Sequence, residues 1–175
     1  MNQSSNNIVL IGMPGAGKST LGVVLAKILN KQFIDVDLVI QSKMGKTLQN
    51  LIDELGSLGF IEIENEVLCE VEADNTVIST GGSAVYSDEA MRHLSDIGTV
   101  VYLEISYDSL VQRLGDLQER GVVFKNGIGM SLRDLYDERR PLYEKYADLT
   151  VDVDGLSITA AARKVADLMR SQPSI

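Results

Sequence analysis

The chain has one cysteine, one histidine and few positive charges, and each shortage removes a class of chemistry. Cys69 has no partner for an internal disulfide. Within the apolar stretch Val67-Leu68-Cys69 of a predicted helix it reads as a buried small hydrophobe rather than a nucleophile. His93 stands in a predicted helix with no partner at metal-ligand spacing, so it reads as a surface side chain. The segment Met1 to Asn7 is polar and uncharged, and no apolar run is long enough for a signal or a membrane span. The expectation is a cytoplasmic protein with no membrane partner. Sixteen Lys and Arg stand against 25 Asp and Glu, a net charge of -9 that repels nucleic acid and anionic surfaces at long range. Any affinity for phosphate must then be local.

No Pro/Gly/Ser-rich linker, internal repeat or low-complexity tract divides the 175 residues, and 45% apolar composition suffices for a substantial core. Residues 1–175 therefore read as a single domain, acting as a monomer or small homo-oligomer. Short runs rich in Val and Ile predict strands at Ile8–Ile11, Phe33–Val36, Val77–Ser79, Val100–Leu103 and Leu149–Val153. Helical patterns fall between them, at Thr20–Asn30, Asp37–Met44, Thr47–Leu55, Gly59–Ala73, Asp88–Asp96, Ser106–Glu119 and Ser131–Ala147, with a last one at Ser157–Arg170. Continuous apolar strands alternating with helices predict a three-layer α/β fold with about five parallel strands and helices on both faces. Ligands in such sheets bind beyond the carboxyl ends of the strands.

The first strand end carries the strongest signal. Gly12-Met13-Pro14-Gly15-Ala16-Gly17-Lys18-Ser19 is a complete G-x-x-x-x-G-K-[ST] loop, placed directly after Ile8-Val9-Leu10-Ile11 and directly before a helix opening at Thr20. Gly12, Gly15 and Gly17 let the backbone wrap phosphates with its N–H groups, with Ala16 and Thr20 completing the cradle at the helix N-terminus. Lys18 supplies a cation to the β- and γ-phosphates, and the Ser19 hydroxyl is placed to ligate the Mg²⁺ that bridges them. The site suits ATP or GTP with Mg²⁺. A regulatory GTPase would need an Asn-Lys-x-Asp motif after a late strand, and none is present.

The second strand end reads Phe33-Ile34-Asp35-Val36-Asp37. If the strand continues through both acids they point the same way, one to hold Mg²⁺ through water and one to accept the proton of an attacking hydroxyl. The plainer alternative is two solvated acids opening a helix. The third strand end, Ser79-Thr80-Gly81-Gly82-Ser83, is either a close-approach site for a ligand or a tight turn. Further on, Arg113 and Arg120 border the stretch Glu119 to Met130 with its Gly121, Gly127 and Gly129. A glycine-containing loop starting with Arg has the makings of a lid, about residues 117–130, that excludes water and brings a cation to the transferring phosphoryl group. Arg139-Arg140-Pro141-Leu142-Tyr143 is a more defined basic spot on a helix.

In these pieces and their order the chain resembles the shikimate kinase family from Ile8 to about Val153. Besides the phosphate loop, Phe33 to Asp37 matches its F-x-D-x-D, and Gly59-Phe60 with Glu64 matches parts of its G-F-R-x-x-E. Gly81-Gly82 corresponds to its triple glycine and Glu138 to Tyr143 to its E-R-x-P-x-Y. The resemblance implies a nucleoside-monophosphate-kinase-like fold, ATP and Mg²⁺, and phosphorylation of a ring hydroxyl of shikimate to shikimate 3-phosphate. It implies roles for Lys18 and Ser19 at phosphate and Mg²⁺, Asp35 in the Mg²⁺ shell and Asp37 at the acceptor hydroxyl. Arg120 becomes the lid contact and Arg139 the contact to the acceptor carboxylate.

The departures concentrate on the acceptor side: Ile61 replaces the family's Arg, Ser83 its third glycine, and Arg120-Gly121-Val122-Val123 its R-P-L-L. Ile61, Gly81, Gly82 and Ser83 thus join Asp37 and Arg139 as candidate acceptor-binding residues. Isoleucine cannot replace a guanidinium; Lys43, Lys46 or Arg140 could restore the charge from another direction. Glu54, Glu62 and Glu64 lie near the lost Arg in sequence. Glu64 could meet a hydroxyl or amine of the acceptor, although solvated helix faces are the commoner fate of Glu62 and Glu64. The first reading is therefore an ATP-dependent small-molecule kinase with shikimate as acceptor. The alternatives are a kinase for a polyol, sugar acid or hydroxyamino acid, or a nucleotide-binding module without catalysis.

Overall fold

A computed structural model describes residues 6–114 and 130–171. Five strands, β1 (Asn7–Ile11), β2 (Gln32–Asp35), β3 (Thr76–Ser79), β4 (Gly98–Glu104) and β5 (Leu149–Asp152), form one parallel sheet in the order β2-β3-β1-β4-β5. The register runs Ile8 to Val77 on one side of β1 and Val9 to Val100 on the other. As the central strand β1 is wholly enclosed, with Ile8, Val9, Leu10 and Ile11 at 0% exposure. Each such side chain contributes about 1.5–3 kcal/mol relative to an exposed one.

Helices α1 (Lys18–Leu29), α2 (Val36–Met44), α3 (Leu48–Cys69), α4 (Asp88–Ile97), α5 (Tyr107–Arg113), α6 (Leu132–Tyr146) and α7 (Ile158–Ser171) alternate with the strands. Helix α1 packs on β3, β2 and β1 and against α7, while α4 packs on β4 and β1 with α3 against it. The start of β1 is fastened by Asn7, a buried amide that donates to the carbonyls of Ala73 (2.6 Å) and Ile97 (2.9 Å) and accepts from the Thr76 N–H (2.9 Å).

Caps written in the sequence start most helices. Thr47, Ser87, Ser106 and Ser131 each accept a backbone N–H three residues on. The segment α3 changes direction at Gly56 (φ 72°, ψ 174°), which accounts for the two separate helices predicted over 47–55 and 59–73. Of the predicted helix Ser106–Glu119, residues 115–119 lie outside the described residues. The described helix ends at Arg113, where Leu114 turns into an extended conformation and buries its side chain against Gly15. A single 3₁₀ turn, Ala84–Tyr86, follows the third strand end and was not anticipated.

Candidate active site

The chain leaves β1 through Gly12 to Gly17 and enters α1 at Lys18, as the motif requires. Gly12, Gly15 and Gly17 have φ of 150°, 87° and 92°. The Gly15 position is also crowded, since a Cβ there would lie 2.8 Å from Leu114 Cδ2. Gly17 caps α1 without a side chain, and the first turn holds no acidic residue, so its N–H groups suit an anion. Lys18 is 7% exposed and donates to the carbonyls of Gly12 (2.8 Å) and Met13 (3.0 Å). Burial lowers its pKa to about 8, with the Asp37 charge acting in the opposite direction. Phosphate oxygens would relieve that desolvation. Behind the loop, Arg113 Nη1 donates to the Ala16 carbonyl at 3.3 Å.

The acids diverge from the sequence expectation. The strand stops at Asp35, which caps α2 by accepting the Asp37 N–H at 3.0 Å, so the two side chains are not presented in strand alternation. The result still serves a site. A helical first turn carries Asp37 into the cavity, where burial and the like charge of Asp35 raise its pKa while Lys18 opposes the shift.

One cavity of about 310 Å³ gathers most of the expected residues. Gly15, Gly17, Lys18, Ser19 and Thr20 line it from the phosphate loop; Asp37, Gly81, Gly82, Ser83 and Arg139 line it from the other strand ends and α6. Gly12, Ala16, Asp35, Ile61 and Arg113 are not among its lining residues. Ile61 is half-buried and packs against the core. Arg120, and the expected lid from residue 117 through residue 129, lie outside the described residues. Ser19 Oγ, on the cavity wall, lies 3.3 Å from Ser79 Oγ at the end of β3.

Arg139 is completely buried. The Ser131–Asp134 capping box starts α6 so that Arg139 and Tyr143, one turn apart, both face inward. Arg139 Nε donates to Tyr86 Oη at 3.1 Å and its guanidinium lies 5.0 Å from the centre of that ring. Tyr143 donates to the Gly82 carbonyl at 2.6 Å and stacks on Tyr102 at 5.1 Å. A Cβ on Gly82 would come within 2.8 Å of Arg139 Nη1, so glycine here lets the protein's own Arg139 and Pro14 close on the turn.

The structure corrects several lesser expectations. Glu64 is not solvated: it is 1% exposed, lines the cavity and accepts the Ser83 hydroxyl hydrogen on Oε2. The signal was available, because Glu64 sits on the stripe Phe60, Glu64, Val67, Leu68 that α3 buries. Glu62 is exposed and Glu54 pairs with Lys46. Lys43 pairs with Glu70, and Arg140 with Glu104 and Glu144, all away from the cavity, so none of these cations replaces the lost Arg. Cys69 is half-buried, its thiol pushed up in pKa by burial. His93 is half-buried too, donating to the Val71 carbonyl at 2.8 Å.

Residues 14–170 match the family model for shikimate kinase. The chain belongs to the shikimate kinase family. It is 38% identical over 168 residues to the shikimate kinase of Pseudomonas paraeruginosa, covering 95% of this chain and 98% of that one. With the shikimate kinase of Francisella tularensis subsp. novicida the identity is 37% over 167 residues, covering 94% and 95%. The shikimate kinase from Acinetobacter baumannii in complex with shikimate superposes with a TM-score of 0.84 at 31% identity, covering 97% of this chain and 95% of that chain. Membership in the family agrees with the order of its motifs and makes the phosphate-loop kinase fold, with its five-stranded parallel sheet, the family's own.

Proposed function

We propose that this chain transfers the γ-phosphoryl group of ATP, with Mg²⁺, to a ring hydroxyl of shikimate, yielding shikimate 3-phosphate and ADP. The observation that carries the reading is a single cavity with Lys18 and Ser19 on one wall and Asp37 and the buried Arg139 on the other. Phosphoryl transfer needs little beyond positioning and charge stabilisation, and these residues can provide both. Asp37 holds the acceptor hydroxyl and takes its proton as the oxygen bonds to the γ-phosphorus and the bond to the bridging oxygen breaks. Its raised pKa makes it a better proton acceptor than an ordinary aspartate. Lys18 balances charge gathering on the phosphates. Arg139, fixed by Tyr86 and by its place in α6, orients the acceptor carboxylate. Ser19 directly, and Asp35 through water, are the groups that would hold Mg²⁺, which when bound supplies charge neutralisation along the phosphates.

Gly12, Gly15, Ala16, Gly17, Thr20 and Arg113 belong to the nucleotide side of this proposal, Arg120 to its lid, and Gly81, Gly82 and Ser83 to the acceptor side with Ile61 behind it. One sheet and one continuous core support a single catalytic domain. The need for ATP supports a cytoplasmic location. The proposal is tested by coupled ADP release with Mg²⁺-ATP against shikimate and a panel of hydroxylated acids, polyols and amino acids. Shikimate-dependent turnover in the ordinary range of metabolic enzymes, roughly 1–10³ per second, is the expected result. Silence with shikimate and turnover with another acceptor would overturn it. One observation favours that second reading: Ile61 leaves Arg139 as the sole arginine among the cavity's described lining residues.

A further inference from the structure

Glu64 is the charged side chain of the cavity that the phosphoryl-transfer scheme leaves without a task. Its Oε2 is held by the Ser83 hydroxyl, while Oε1, buried in the cavity wall, has no hydrogen-bond partner among the described residues. Oε1 packs so closely on Gly81 that a Cβ at that position would collide with it. A buried carboxyl oxygen with nothing to bond is costly unless a ligand completes it. The charged groups facing it are Asp37 from α2, Lys18 from α1 and Arg139 from α6, with the Tyr143 phenol behind. One departure from the family motif meets this carboxyl: Ser83 supplies a neutral hydroxyl. A second, Ile61, one helical turn earlier on α3, packs on the core and supplies no cation.

We propose that the Glu64–Ser83 pair is a specificity-determining element of the acceptor pocket, which meets a hydroxyl of an anionic acceptor and does so best when Glu64 carries a proton. This rests on the kinase reading above and deepens it. A neutral Glu64 leaves Lys18 and Arg139 facing one carboxylate, Asp37, so the pocket tolerates an incoming carboxylate. An ionised Glu64 removes that surplus. Burial, only partly offset by the Ser83 hydrogen bond, raises the pKa to about 7, which puts the change within the working range of the enzyme.

The test is the pH dependence of shikimate KM and kcat between pH 6 and 9, with calorimetric titration of shikimate at pH 8 in buffers of differing ionisation enthalpy. For a group titrating near 7 whose protonated form alone binds, KM rises about tenfold between pH 6 and pH 8, and binding at pH 8 takes up close to one proton. Glu64→Gln abolishes both the slope and the proton uptake. Ser83→Ala, which removes a bond that favours the ionised form, moves the rise in KM to higher pH. A wild-type KM that is flat with pH, or a slope that survives in Glu64→Gln, would overturn the inference while leaving the kinase reading intact. Absence of both shikimate binding and turnover at every pH would overturn the kinase reading and this one with it.

Discussion

Replacing Asp37 by asparagine separates the proton-accepting role from every structural role the residue has. The Asp35 cap on α2 bonds the backbone N–H of residue 37, not its side chain, so the helix start survives the change. Asparagine keeps the shape and one oxygen toward the acceptor but has no useful basicity. Loss of a positioned general base costs about 10²–10⁴ in rate, or roughly 3–5.5 kcal/mol of transition-state stabilisation.

The effect on stability has the opposite sign. The Asp37 carboxyl titrates above its ordinary 3.8 in the folded chain, first through burial and then through Asp35. An acid whose pKa is raised by folding weakens the fold as pH rises from that ordinary value through the folded one, and the penalty is fully present above it. Asparagine removes the penalty, so at pH 7.5 the variant melts higher than the wild type while kcat collapses. Its affinity for ATP is unchanged or tighter, because a negative charge near the phosphate loop has gone. Coupled ADP release, calorimetric ATP titration and a thermal melt on the same preparation read all three. Turnover within a factor of about three of wild type would remove Asp37 from the chemistry, and a lowered melting temperature would show that its burial is not the source of its raised pKa.

Other perturbations probe the acceptor side and the frame. Ile61→Arg restores a charge-assisted donor and is expected to tighten shikimate binding about tenfold to a hundredfold, or roughly 1.5–3 kcal/mol. It should also flatten the pH dependence by ionising Glu64; no gain in calorimetric affinity would mean the pocket has been rebuilt more widely. Gly81→Ala drives a Cβ into Glu64 Oε1 and to 3.1 Å from Asp37 Oδ1, so shikimate KM should rise tenfold or more while ATP KM stays within about twofold. Equal rises in both would refute the division of the cavity. Asn7→Ala breaks three hydrogen bonds of a buried amide at the start of β1 and should cost about 2–4 kcal/mol, lowering the melting temperature by about 4–16 °C in a scan at fixed pH.

The parts of the molecule that were legible in the sequence share a physical character. The strands show as short apolar runs because a doubly covered parallel sheet buries both faces, and β1 does so completely. The break predicted between residues 55 and 59 falls at Gly56, where a left-handed φ needs glycine. The phosphate loop could be read because its course depends on positive φ at Gly12, Gly15 and Gly17, and glycines at fixed spacing record that backbone. Less legible was whatever depends on a side chain's direction across elements. Asp35 and Asp37 divide between a cap and the cavity because the strand ends two residues earlier than the alternation assumed. Tyr86, which positions Arg139, lies in a 3₁₀ turn without a periodic signal of its own.

The same division bears on how the acceptor site can differ from its relatives without loss of the phosphoryl-transfer apparatus. The phosphate loop is one continuous segment whose three glycines, lysine and serine constrain one another through a single backbone path. The proposed acceptor pocket is assembled from α2, α3, the turn after β3 and α6, which do not share one continuous backbone path. A change on one of these elements can therefore be answered on another. Arginine at position 61 would stabilise an ionised Glu64; without it the carboxyl is buried beside Asp37, with Arg139 and Lys18 offsetting only part of the cost of ionising it. Ser83, reaching from the turn after β3, supplies a hydrogen bond without a charge, and the remaining cost is met if Glu64 holds its proton. On this argument Ser83 and Ile61 are one adaptation, so the effects of reverting them on acceptor binding should be coupled rather than additive. The double variant Ile61→Arg with Ser83→Gly should regain a pH-independent shikimate KM. If instead the two single reversions add without coupling in a double-mutant cycle, Glu64 does not connect them.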